Sequence, residues 1–143
     1  MIRTLLTLAA GIGVGVAVTV AAHHDHQEGA KVTTLAARDI VEKLDGKEAK
    51  VTFQMVTLEA GQADAPHRHT GPVFGYVLEG EFESALDDQP AKVFKAGETF
   101  YEPTGSLHRV SKNPAAKGKT RVLAVVLHPR DAKEVTIFEP KKK

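Results

Sequence analysis

The sequence predicts a single all-β domain, and three observations carry that expectation. Short β-prone segments recur at regular spacing with turn residues between them. Several of those segments alternate apolar and polar residues, the signature of strands with one buried face. A chain of 143 residues has room for one domain and little more. An apolar content of 42% is ordinary and sufficient for a core. Cysteine is absent, which excludes a disulfide framework, a thiolate metal site and a cysteine nucleophile.

The elements follow in order. Residues 23–31 read as a polar linker and 32–140 as the barrel-forming domain. Val32 to Val41 is expected to be an N-terminal strand, closed by the turn signal Leu44-Asp-Gly-Lys47. Lys50 to Leu58 alternates as a strand, and Ala60-Gly61 turns it toward His67-Arg-His69. Val73 to Leu78 carries Val73, Gly75 and Val77 on one face and Phe74, Tyr76 and Leu78 on the other. A strand apolar on both faces calls for cover on both, from the N-terminal strand or from a second subunit. Glu79-Gly80 reads as a hairpin turn that returns Glu81 to Leu86 against Val73–Leu78. Val93 to Lys95 and Thr99 to Glu102 are short strands, and Pro103-Thr-Gly105 is a tight turn that delivers His108. Arg121 to Leu127 is the most apolar strand and is expected at a sheet centre, with Val135 to Phe138 at an edge or exchanged. His128 reads as an ordinary exposed or edge residue.

The chemistry lies in three histidines. An H-x-H pair on a strand points both imidazoles to one face, because side chains alternate with period two. A third histidine from a neighbouring strand would complete a facial nitrogen set, suited to Fe, Cu, Zn, Ni or Mn. His67, His69 and His108 are the candidate ligands. Arg68, between the pair, is expected to face the other way as a surface charge. One of Tyr101 and Glu102 should face the cavity, and the alternation leaves open which.

These segments resemble the cupin family. In Gly61-Gln-Ala-Asp-Ala-Pro-His67-Arg-His69, continuing to Gly80, the family's first motif falls in register. In Gly97 to His108 the second does, through Pro103 and Gly105, with Asn113 one residue late. The resemblance covers roughly residues 50–128 and implies a jelly-roll β-barrel with a metal at its mouth. One departure stands out. Counting back seven from Gly80 places the family's glutamate ligand at Val73. Glu102 and Gln54 are substitutes to consider, and neither spacing favours them.

The N-terminus is the other informative segment. Met1-Ile-Arg3 precedes an uncharged run from Thr4 to Ala22, ending in small residues. Residues 1–22 therefore resemble a secretory signal peptide, with an uncleaved membrane anchor as the alternative. An exported, periplasmic or secreted location is expected. His23-His-Asp-His26 reads as a solvated linker able to bind metal loosely.

Removing residues 1–22 takes away one arginine and no acid, leaving the charges balanced. No basic face is evident, which argues against nucleic acid as a partner. Neither a G-x-S-x-G elbow nor a phosphate-binding Walker loop is present. The expectation is an exported barrel binding a divalent transition metal through three histidines, with a small-molecule binding or sensing role. The alternative is a dioxygenase or lyase-type enzyme acting on a small oxygenated substrate. A homodimer is expected, as the resemblance implies and the doubly apolar strand suggests.

Overall fold

The computed structural model describes residues 29–140. The proposed signal segment and the His23–His26 cluster lie outside the described residues. Among the described residues ten strands form: β1 Lys31–Leu44, β2 Lys47–Leu58, β3 His67–His69, β4 Val73–Glu79, β5 Glu81–Leu86, β6 Lys92–Lys95, β7 Thr99–Glu102, β8 His108–Lys112, β9 Thr120–Pro129 and β10 Thr136–Phe138. They make two five-stranded sheets, ordered β1-β2-β9-β4-β7 and β10-β3-β8-β5-β6, and every pairing is antiparallel. Among the described residues no helix is long and apolar enough to cross a membrane.

Local chemistry explains the main turns. β1 and β2 join through Asp45 and Gly46, both at positive φ (49° and 77°). Two such residues make the mirror-image turn whose twist matches a hairpin, and Asp-Gly is a favoured pair for it. Gly80 also takes a positive φ. There the expected hairpin between Val73–Leu78 and Glu81–Leu86 does not form. β4 pairs with β9 and β7, while β5 pairs with β6 and β8 in the other sheet. Gly80 crosses the chain between layers, tight against the Lys119 carbonyl, where a side chain would collide. A short Glu-Gly turn looks the same in sequence whether the chain folds back or changes sheet.

The core sits between the sheets. Leu58, Val77, Phe82 and Val122 form one buried cluster, flanked by Val56, Phe94 and Phe100. Val73, Ala124 and Val126 form a second, and Phe82 of the first packs edge-on to the His108 ring at 6.0 Å. β9 is central, as its composition predicted, with alternate residues buried. β10 lies at the edge of its sheet, paired with β3.

Two expectations change here. β1 pairs along the edge of β2 rather than across the sheet face. Phe74, Tyr76 and Leu78 therefore stay exposed, with Tyr101 beside Phe74. His128 is buried at 3% exposure instead of lying at the surface. Its Nδ1 donates to the Pro129 carbonyl at 2.9 Å, so Nε2 accepts from the Thr52 hydroxyl at 2.8 Å. Both ring nitrogens are satisfied within the fold, which makes His128 a packed core histidine. Asn113 is also internal, bonding the Leu58 and Gly118 carbonyls and the Ala115 amide.

Candidate metal centre

His67 and His69 reach one cavity from β3, as the period-two argument requires. His108 enters from β8, where it is the register partner of His67. The ligand atoms of the three lie within 4.8 Å of one another. The imidazoles touch directly: His67 stands 4.9 Å from His108 and 5.0 Å from His69, centroid to centroid. The structure thus brings together all three of the histidines chosen from the sequence.

Each ring is oriented by a contact on its outer nitrogen. His67 Nδ1 donates to the Ala65 carbonyl at 2.8 Å. His69 Nδ1 lies 3.3 Å from the Thr136 hydroxyl. His108 Nε2 lies 3.0 Å from Ser84 Oγ. This leaves His67 Nε2, His69 Nε2 and His108 Nδ1 for the interior. Metal-binding histidines are held this way, with the second nitrogen fixing tautomer and ring angle. Burial holds the His67 and His69 imidazoles below their ordinary pKa, outweighing the carboxylates nearby. Both are consequently neutral at pH 7, the form that binds a metal.

Of Tyr101 and Glu102, the structure turns Glu102 inward. Glu102 is 3% exposed and lines the cavity, whereas Tyr101 faces out. Its Oε1 stands 3.2 Å from His108 Nδ1 and its Oε2 stands 3.6 Å from His69 Nε2. Burial alone would push this carboxyl up. The His108 ring beside it, with the further electrostatic influence of the neighbouring His69 and His67 rings, overrides burial and holds it below its ordinary value. Of the two residues left open by alternation, Glu102 is therefore the one that adjoins the triad. Its spacing in sequence did not decide between the two, because the choice is made by the pairing of β7 with β4. Gln54 lines the cavity wall and makes no hydrogen bond to the triad among the described residues.

Glu102 Oε2 and His108 Nδ1 are buried and without a hydrogen-bond partner among the described residues. Buried polar atoms are nearly always paired, and exceptions often mark an ion. Three imidazole nitrogens beside an unpartnered carboxylate oxygen match the donor set of a divalent transition metal. The residues present fit the group that the resemblance implies.

The surrounding cavity has a volume of about 410 Å³. Val56, Val73, Phe82, Phe100, Val122 and Phe138 make its wall mostly apolar, with Gln54, Asp64, Ser111, Glu134 and Thr136 as scattered polar groups. Phe138 packs on the His67 ring at 5.5 Å. Arg68 faces away from the cavity, as expected, but does more than sit on the surface. Its Nε bonds Glu139 at 2.8 Å and its Nη1 bonds the Gly105 carbonyl at 2.7 Å. It therefore ties β3 to the segment after β10 and to the Pro103–Gly105 turn. The Gly105 amide reinforces that link by donating to the His69 carbonyl at 3.1 Å.

Residues 54–126 match the cupin domain family. The chain is a cupin. The match takes in strands of both sheets, from within β2 to within β9, and all three histidines. No curated protein matches the sequence. Among solved structures, this cupin is similar to an uncharacterised conserved protein with a double-stranded β-helix domain from Klebsiella pneumoniae. That match has a TM-score of 0.59 at 16% identity, covering 80% of this chain and 87% of the other. It is also similar to an oxalate oxidase bound to glycolate, with a TM-score of 0.57 at 23% identity, covering 77% and 55%. A DMSP lyase from Ruegeria pomeroyi gives 0.59 at 19% identity, covering 84% and 57%. This cupin thus spans little more than half the length of the two enzymes. At these identities the likeness is one of fold, and one fold hosts many chemistries.

Proposed function

We propose that this cupin binds one divalent transition metal through His67, His69 and His108 and presents it to a small molecule in the 410 Å³ cavity. The observation that carries this reading is the orientation of the three rings. Each is held by an outer contact that leaves its other nitrogen for the interior. The mostly apolar wall suits a ligand with an apolar body and one oxygenated, metal-chelating end. A binding or sensing role requires nothing further from the protein. When bound, the ion supplies Lewis acidity and, if it is redox-active, electron transfer.

The inward carboxylate of Glu102 favours a second reading, a dioxygenase or lyase-type enzyme. An ionised carboxylate at a substrate cavity can hold or accept a proton. The fold shared with an oxalate oxidase and a DMSP lyase is compatible with that chemistry.

The test is metal content by mass spectrometry on the full chain, with His23, His24 and His26 replaced by alanine to remove the loose N-terminal cluster. About one equivalent of a single transition metal is expected. Folded protein that takes up none on reconstitution would sink the proposal. Oxygen uptake with diphenols or thiols, scored on the loaded protein, then separates a dioxygenase from the binding module, and substrate cleavage without oxygen uptake would mark the lyase.

Export belongs to the same proposal and rests on the uncharged run Thr4 to Ala22 with its small-residue exit. Protein recovered from the periplasm or medium is expected to begin near His23. Retention of Met1 in membrane-bound protein would replace cleavage with anchoring.

The proposal includes a homodimer through the outer face of the sheet containing β4. Antiparallel sheets that face water normally alternate to polar residues there. This face instead presents Phe74, Tyr76, Leu78 and Tyr101 to solvent. Light scattering after size exclusion is expected to give the dimer mass, and Phe74→Glu the monomer mass. An unchanged mass in the variant would place any interface elsewhere.

A further inference from the structure

Glu102 stands in register with the position that the cupin motif gives to a carboxylate. That position, seven residues before Gly80, is Val73 on β4. In the β4–β7 ladder, Val73 and Glu102 are direct partners. Both are buried and both line the cavity. Directly paired residues share a face, with their Cβ atoms about 5 Å apart. A glutamate moved from one strand to the other therefore keeps its side of the cavity.

The immediate surroundings of Glu102 point the same way. Its carboxylate is within 3.2 Å of His108 Nδ1 and 3.6 Å of His69 Nε2, and Oε2 has no hydrogen-bond partner among the described residues. Among the described residues no lysine or arginine lines the cavity to balance its charge. Buried charges persist when they are paired or coordinate a metal. The atoms nearest to it are the imidazole nitrogens assigned above to the metal.

We infer that Glu102 is the fourth protein ligand of the metal, a carboxylate relocated from β4 to β7. This rests on the three-histidine reading above. The mixed nitrogen and oxygen set reduces the net charge at a divalent ion from +2 to +1. It suits Mn, Fe, Co, Ni or Zn better than a soft monovalent ion.

Co(II) is a suitable probe because its visible absorption reports the donor set. The full chain lacking the His23–His26 cluster is titrated with Co(II), with a chelator as competitor. Glu102→Gln, His69→Ala and the double variant Val73→Glu/Glu102→Val are titrated in the same way. Circular dichroism checks that each is folded. The parent is expected to bind one Co(II). Glu102→Gln should bind at least about tenfold more weakly, with a shifted spectrum, since even outer-shell changes cost about 10–100-fold. The double variant should recover affinity by restoring a carboxylate from the neighbouring strand. Should Glu102→Gln fail to fold, recovery in the double variant alone would support the assignment, and a folded double variant binding no better than His69→Ala would overturn it. A folded Glu102→Gln with parental affinity and spectrum would also overturn it, leaving the three-histidine site intact. A folded parent that binds no Co(II) would remove the three-histidine reading and this one together.

Discussion

Replacing His69 with alanine is expected to strip the protein of its metal while leaving the barrel folded. His69 contributes one of only three imidazole nitrogens, and its ring also links Thr136 on β10 to the centre. Outer-shell substitutions commonly cost about 10–100-fold in metal affinity. Losing a nitrogen that faces the interior should cost more than about 100-fold. The two apolar clusters do not include His69, so the core survives the change. Thermal unfolding gives a second readout. A ligand present at about 1,000 times its Kd stabilises the native state by about 4 kcal/mol. Chelation should therefore lower the parent's melting temperature and leave that of His69→Ala unmoved. Retention of one equivalent of metal by the variant would remove His69 from the site.

The largest effect on stability is expected from Gly71→Ala. Gly71 lies between His69 and the start of β4. A Cβ there would overlap the Leu127 carbonyl oxygen and sit 3.0 Å from His128 Cα. The obstacle is the backbone of β9, the central strand of its sheet. A side chain can swing aside, but β9 is hydrogen-bonded to β2 and β4 along its length. Overpacking usually costs about 1–3 kcal/mol, occasionally more, and an immovable neighbour puts this site at or above about 3 kcal/mol. Gly75→Ala meets the Phe100 ring instead. That obstacle is a side chain, which can shift as a whole against Phe82 and Phe94, so the penalty should be smaller. Urea unfolding measures the difference. A Gly71→Ala protein within about 0.5 kcal/mol of the parent, the range of a neutral surface change, would show that β9 yields. Because Gly71 follows His69 by two residues, the strain should also weaken metal uptake.

Most of the fold was legible because its signals are local. Alternation marked β2, apolar composition marked β9, Asp45-Gly46 marked the first hairpin, and the motif glycines marked the turns around the histidines. The H-x-H pair needed only period two to be placed. What remained hidden depends on pairing between distant segments. Glu79-Gly80 looks like a hairpin turn until the chain is seen to cross to the other sheet. His128 looked peripheral because nothing near it in sequence reveals Thr52 beside its ring. Alternation left the choice between Tyr101 and Glu102 open, and the β4–β7 register decides it.

The pairing of Val73 with Glu102 also bears on how such a site can change over generations. Moving an acidic residue between facing positions takes two substitutions, and their order matters. Losing the old carboxylate first leaves a lineage with three imidazoles and a weakened centre. Gaining the new one first confines two anionic side chains about a strand's width apart, a crowding that a bound dication relieves. A protein kept loaded with metal could therefore cross by the second route without losing its centre on the way. Descendants of that crossing would carry the acid on either strand, and counting residues within the first motif alone would miss those that carry it on the facing strand.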